Sequence, residues 1–148
     1  MLRLSTKGRY GTRAMLDLAI NYGKGPILLK DIAKRQEISI GYLEQIIPGL
    51  KAAGLVNSLR GAKGGYTLAD KPKNIKLKEI IHALEGPTSL VEDSNNNDYS
   101  EKIDLCVIRE LWDGLSKIID DYLGKISLSN LVEKYNNKQK SQPLMYNI

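Results

Sequence analysis

The sequence predicts a mainly α-helical chain with one small β-hairpin and, behind it, a long amphipathic helix. Three observations predict it. Apolar residues recur at helical spacing in four separate stretches before residue 87, and a glycine-rich cationic segment, Arg60-Gly61-Ala62-Lys63-Gly64-Gly65, lies between two short runs of strand-forming residues. A wide apolar stripe then runs from Leu111 to Leu123.

The first helix is expected from about Thr6 to Tyr22, because Met15, Leu18, Ala19 and Tyr22 fall at i, i+3, i+4 and i+7, the spacing of one buried face. Ser5 is its N-cap and Gly23 its stop. Gly25-Pro26 punctuates the chain, Ile27-Leu28-Leu29 is expected as a very short strand, and Leu29 to Gln36 as a short helix with Ile32 and Ala33 inward. Glu37-Ile38-Ser39 reads as a tight turn. Ser39 caps a third helix, about Ile40 to Ala53, whose Leu43, Ile46, Ile47 and Leu50 face a core, and Gly54 ends it. Pro48 removes a backbone donor and crowds the Glu44 carbonyl, so a kink or an early end is expected there.

Leu55 to Leu59 and Tyr66 to Ala69 form a hairpin with a flexible cationic tip. Pro72-Lys73-Asn74 turns the chain, and Leu77 to Leu84 is a fourth helix with Ile80, Ile81 and Leu84 inward, closed by Gly86-Pro87. Residues 1–87 are therefore one compact unit. Residues 88–104, polar, acidic and rich in asparagine, are expected as a mobile loop. Residues 105–134 hold the long helix and a short one capped by Ser127, with Leu128, Leu131 and Val132, and residues 135–148 form a flexible polar tail. So wide a stripe needs a partner, and a second copy docking through Leu111, Leu115, Ile118 and Tyr122 is expected to supply it.

At 148 residues the chain is the size of one ordinary domain, with no apolar run long enough to span a membrane. Its single cysteine, Cys106, cannot form an internal disulfide, which fits a reducing cytoplasmic setting. Residues 1–78 hold 15 Lys or Arg against 5 Asp or Glu, net +10, whereas residues 79–148 hold 7 against 12, net −5. A basic front suits phosphate neutralisation, and an acidic rear keeps the rest of the molecule away from a polyanion. The chain carries no nucleophile–base set, paired carboxylate motif, P-loop or dinucleotide fingerprint, so an enzyme is not expected. His82 lies within the apolar pattern of the fourth helix without a second ligand at metal spacing and reads as structural.

Helix, short helix, turn, helix and hairpin is the order of a winged helix-turn-helix, whose third helix enters the major groove of duplex DNA. The fold class is thus a winged helix-turn-helix plus a long C-terminal dimerisation helix. Ser39, Gly41, Tyr42, Glu44 and Gln45 occupy exposed positions at the start of the third helix; Gln pairs with adenine, Glu accepts from cytosine, and Gly41 admits close backbone approach. Arg60 and Lys63 sit on the wing, where an arginine can enter a narrow minor groove. Lys7, Arg9 and Arg13 are positioned for phosphates rather than bases. A winged helix also serves as a protein–protein interaction module without DNA readout, and that is the alternative reading.

Leu4-Ser5-Thr6-Lys7-Gly8-Arg9-Tyr10, Ser39 to Gln45, Arg60 to Tyr66 and Cys106-Val107-Ile108-Arg109-Glu110-Leu111-Trp112 together resemble the IscR-type regulators of the Rrf-two family, over nearly the whole chain. The resemblance implies a dimeric winged-helix repressor or activator, with Glu44, Gln45 and Arg60 at DNA-reading positions, and a two-fold protein in turn matches a pseudo-palindromic operator. It implies control of iron–sulfur, cysteine or redox-related genes. In the IscR branch the loop before the dimerisation helix binds an iron–sulfur cluster through three cysteines spaced C-x5-C-x5-C, in some members with a histidine three residues on. Here those positions are Ser94, Ser100, Cys106 and Arg109, so only Cys106 remains as a metal ligand. Neutral serine hydroxyls replace thiolates poorly, and no cofactor is expected for the sequence as written. Two origins stay open: a natural cluster-less relative of the CymR type, or a chain in which Ser94 and Ser100 replace native cysteines, in which case the native cofactor is [2Fe–2S].

Overall fold

The chain runs α1 (Thr6–Ile20), α2 (Leu29–Gln36), α3 (Ile40–Ala52), β1 (Val56–Leu59), β2 (Gly65–Leu68), α4 (Leu77–Glu85), α5 (Ile103–Lys125) and α6 (Leu128–Ser141), with a 3₁₀ turn at Pro72–Asn74 before α4. These elements come from a computed structural model that describes residues 3–91 and 102–142.

Helix α1 starts where its cap dictates: the Ser5 hydroxyl accepts the Gly8 amide at 3.1 Å, satisfying a donor that the first turn leaves open. It ends at Ile20: Asn21 caps it, the Tyr22 amide donates three residues back to the Ala19 carbonyl at 3.2 Å instead of four, and Gly23 turns the chain at φ +87°. Tyr22 therefore falls outside the helix and is 49% exposed, contrary to its expected place on the buried face. That face is Ala14, Met15, Leu18 and Ala19, packed with Ile32 of α2, Leu43, Ile46, Ile47 and Leu50 of α3, and Ile80 and Leu84 of α4.

The expected strand at Ile27 to Leu29 shrinks to one residue. Ile27 donates to the Tyr66 carbonyl at 2.9 Å and accepts from the Tyr66 amide at 2.8 Å, after which Leu29 already begins α2. Helix α3 runs through Pro48 without an early end. Pro48 and Glu44 both lie on the exposed side of the helix, away from the core row.

β1 and β2 pair antiparallel from Val56 opposite Leu68 to Leu59 opposite Gly65. Gly65 has φ +146°, and a Cβ there would lie 2.6 Å from the Ile27 carbonyl oxygen, so only glycine lets the wing lie against the segment before α2.

Behind the wing, α5 begins two residues before the expected start at 105, and none of its residues is buried. Helix α6 returns to the front unit instead of following α5. Leu128 is fully buried in the common core, its amide donates to the Ile75 carbonyl at 3.0 Å, and the Leu77 amide donates to the Ile126 carbonyl at 2.9 Å. Ser127 and Asn130 cap this helix reciprocally, each side chain accepting the other's backbone N–H, at 3.1 and 2.9 Å. It continues to Ser141, past residue 134 where the tail was expected to begin. Most of the expected mobile loop, from residue 92 to 101, lies outside the described residues.

Candidate nucleic-acid interface

Helix α3 has two unlike faces. Leu43, Ile46, Ile47 and Leu50 are buried, while Ser39, Gly41, Glu44 and Gln45 are exposed on the other side. The Ser39 hydroxyl accepts the Tyr42 amide at 3.1 Å and fixes the first turn. A Cβ at Gly41 would meet nothing within 4 Å, so the backbone there is open to an approaching surface. Tyr42 behaves differently from its exposed neighbours: it is half-buried, and its ring meets Tyr10 of α1 edge-on at 5.5 Å between centroids. Its body is therefore packing, which anchors the start of α3 to α1.

The same contact gathers cations. Arg9 and Arg13 stand over the Tyr10 ring at 5.8 and 5.1 Å from its centroid, and Arg13 also donates to the Gln36 carbonyl at the end of α2. Arg13 thus satisfies an orphan carbonyl of the helix-turn-helix, while Arg9 and Lys7 remain exposed. The N-terminus of α1 is itself held by Glu85 of α4, whose carboxylate accepts the Ser5 amide at 2.7 Å.

The wing stands beside α3. Glu44, Ile47, Pro48 and Lys51 share a shallow cleft with Tyr66 of β2, which brings the exposed face of α3 next to the base of the hairpin. Arg60 and Lys63 are exposed at the hairpin tip, where the Gly64 amide donates to the Gly61 carbonyl at 3.0 Å and closes the turn.

Sequence reasoning missed the lock between α1 and α2. Asp17, 2% exposed, accepts from Arg35 Nη2 and Nε at 2.8 and 2.9 Å and from Gln36 Nε2 at 3.0 Å. The carboxylate holds the Arg35 guanidinium protonated still further above its ordinary value. A carboxylate at the edge of the apolar stripe of α1 was the available signal.

Farther back, the long helix exposes its apolar seam: Leu111 is 57% exposed, Ile118 65% and Tyr122 64%, with Leu115 half-buried between them. His82 of α4 contacts Asp120 of α5 and Thr88, a wholly protein-internal set of partners. Cys106 is exposed on the first turn of α5. Among the described residues no group of three or more His, Cys, Asp or Glu side chains could hold a metal ion; Ser94 and Ser100 lie outside them. One thiol with serine hydroxyls in place of its fellow ligands does not fit a [2Fe–2S] cluster.

The family model described as Rrf2, an iron-dependent transcriptional regulator, matches residues 4–134. The HTH-type transcriptional regulator CymR of Bacillus subtilis is 39% identical over 140 residues, 95% of this chain and 96% of that one. IscR of Xenorhabdus nematophila is 40% identical over 132 residues, covering 89% and 80%. Among solved structures, CymR, the global cysteine regulator of B. subtilis, matches with a TM-score of 0.75 at 41% identity over 90% of this chain and 98% of that one. IscR of T. potens gives 0.77 at 43% identity over 98% and 96%.

Proposed function

Because this chain belongs to the Rrf2 family of DNA-binding transcription regulators, we propose that it is a homodimer reading a pseudo-palindromic duplex operator, with one α3 in the major groove of each half-site. It is not an enzyme. The observation that carries the reading is the two-sidedness of α3: one face supplies the core, while Glu44 and Gln45 stand exposed at its capped start, beside the wing that bears Arg60. Gln45 presents the donor–acceptor pair that matches adenine, and Glu44 an acceptor for the cytosine amino group. Arg60 enters the minor groove, Lys63, Lys7 and Arg9 neutralise phosphates, and Ser39, Gly41 and Tyr42 set the approach of the helix.

The exposed seam of α5 supports the dimer. Leu111, Leu115, Ile118 and Tyr122 follow a coiled-coil spacing, and an apolar row left in water is a liability that a second copy removes. The genes controlled belong to cysteine, iron–sulfur or redox metabolism on this reading, since the similar CymR of B. subtilis is the global cysteine regulator of its organism. With Ser94 and Ser100 at two of the ligand positions, the chain works without a cluster, and it acts in the cytoplasm, where its operator is. No helix among the described residues is long and apolar enough to cross a membrane.

Selection from random duplexes, followed by anisotropy titration at two salt concentrations, tests the reading. The expected result is enrichment of a two-fold-related pair of half-sites, bound with an affinity that falls steeply as salt rises. Failure to enrich any duplex, with salt-insensitive binding to a protein partner instead, refutes it.

A further inference from the structure

A polar knot ties the reading unit to the long helix. His82, on α4, places Nε2 2.9 Å from Asp120 Oδ1 on α5 and 3.2 Å from the Thr88 hydroxyl. The Thr88 hydroxyl donates to the same carboxylate oxygen. A carboxylate can only accept, so both neighbours direct their protons at Asp120. Lys78, one turn earlier on α4, adds its charge to the same side. Thr88 follows the Gly86-Pro87 corner at which the chain leaves α4, so the knot joins three consecutive parts of the molecule at the point where the reading unit ends.

The C-terminal end of α5 is pinned to the reading unit by the Leu77–Ile126 and Leu128–Ile75 backbone bonds and by the buried Leu128, so the knot is a second attachment, farther up the helix, and two attachments fix an angle where one leaves a pivot. Beside the knot a cleft of about 460 Å³ lies among α4, α5, the N-terminal Arg3-Leu4 and the segment 86–90, with Ile81 and Ile119 facing it from the two helices. Side chains that line a cleft leave their helices room to rock, whereas hydrogen bonds of fixed length and direction do not.

We infer that Asp120, held by Thr88 and His82, is a positioning residue that sets the angle between each reading unit and the dimer helix, and through it the half-site spacing the dimer accepts. This rests on the dimeric DNA-reading function proposed above. Moving a half-site by one base pair displaces it by about 3.4 Å and rotates it by about 34°, so a rigid junction rejects the shift and a loosened one tolerates it. No residue of the knot needs to touch DNA for this.

The test uses the full-length chain and Asp120→Ala, Thr88→Val and Thr88→Ser variants. Wild-type protein first selects its paired half-sites from random duplexes, and binding is then measured on versions of that duplex lengthened or shortened by one base pair. Wild type and Thr88→Ser are expected to discriminate against the shifted sites by about tenfold, and Asp120→Ala and Thr88→Val by about threefold or less, with half-site sequence preference unchanged. Thr88→Val preserves shape, so it decides the matter if Asp120→Ala does not fold. Variants that melt at lower temperature yet keep wild-type spacing discrimination overturn the inference alone. A wild-type chain that selects no paired half-sites overturns the inference together with the dimeric reading.

Discussion

Asp17 of α1 takes both arms of the Arg35 fork from α2, at 2.8 and 2.9 Å, and is almost wholly enclosed while its partner stays half in solvent. The pair fixes the first helix of the helix-turn-helix against α1, and the asymmetry sets what each deletion does. Arg35→Ala leaves a buried carboxylate with Gln36 as its remaining donor and is expected to cost about 2–4 kcal/mol in thermal or urea unfolding. The double variant Asp17→Leu, Arg35→Met removes the orphaned charge and should recover at least half of that loss. A double variant as unstable as Arg35→Ala would show that the pair does more than satisfy itself.

Gly41 separates folding from recognition. Nothing in the protein lies within 4 Å of a Cβ at that position, and alanine is the better helix former, so Gly41→Ala should leave stability unchanged or raise it by about 0.5–1 kcal/mol. The added methyl group projects from the face assigned to the groove. Affinity for the selected duplex should fall nonetheless, and a variant that is more stable and binds equally well would place the α3 backbone farther from DNA than proposed.

Most of the fold was legible because it is written in local patterns. The caps Ser5, Ser39 and Ser127 and the inward rows of α3 and α4 each depend on residues within one or two turns, and all form as the spacing predicts. What the sequence concealed depends on long-range partners. Ile27 is held in a single bridge by the backbone of Tyr66 on the wing, a partner far along the chain, while Tyr22 is a local exception that satisfies the periodicity of α1 but lies in the turn that Gly23 completes at φ +87°. Leu128 could be read as apolar but not as a member of the front core, since only the return of the chain after α5 brings it there. At the candidate interface the same division holds: the exposure of Glu44 and Gln45 follows from helix position, whereas the edge-on contact of Tyr42 with Tyr10, rings at 79° to one another, needs α1 and α3 already packed.

The Asp120 knot gives a signed pH dependence. Donation from Thr88, and then from His82 with the charge of Lys78, holds the Asp120 carboxyl below its usual range despite the opposing effect of burial. The unfolded chain therefore takes up the proton first as pH falls. Stability from this group is fully present above the unfolded carboxylate pKa of about 3.9 and is lost as pH drops through the lower folded value. Asp70, lowered by Asn74 and the Lys71 amide, acts in the same window, so the comparison with Asp120→Asn isolates the knot. Urea titrations below about pH 5 should show a shallower acid loss in that variant, and parallel curves would remove Asp120 from the linkage.

Ile118 separates assembly from folding in the same way that Gly41 separates recognition from it. It is 65% exposed in the protomer, so Ile118→Asp places a charge where water already reaches and should change protomer stability by no more than about 0.5 kcal/mol. In a dimer the same carboxylate would be driven into the seam with Leu111, Leu115 and Tyr122, facing its own copy across the two-fold axis. Sedimentation at micromolar concentration should then show a monomer, and duplex affinity should fall by at least about tenfold, because each half-site is held by one reading unit without help from the other. An Ile118→Asp protein that remains dimeric would mean that the two copies meet on another surface, leaving the exposed row of α5 to a different partner.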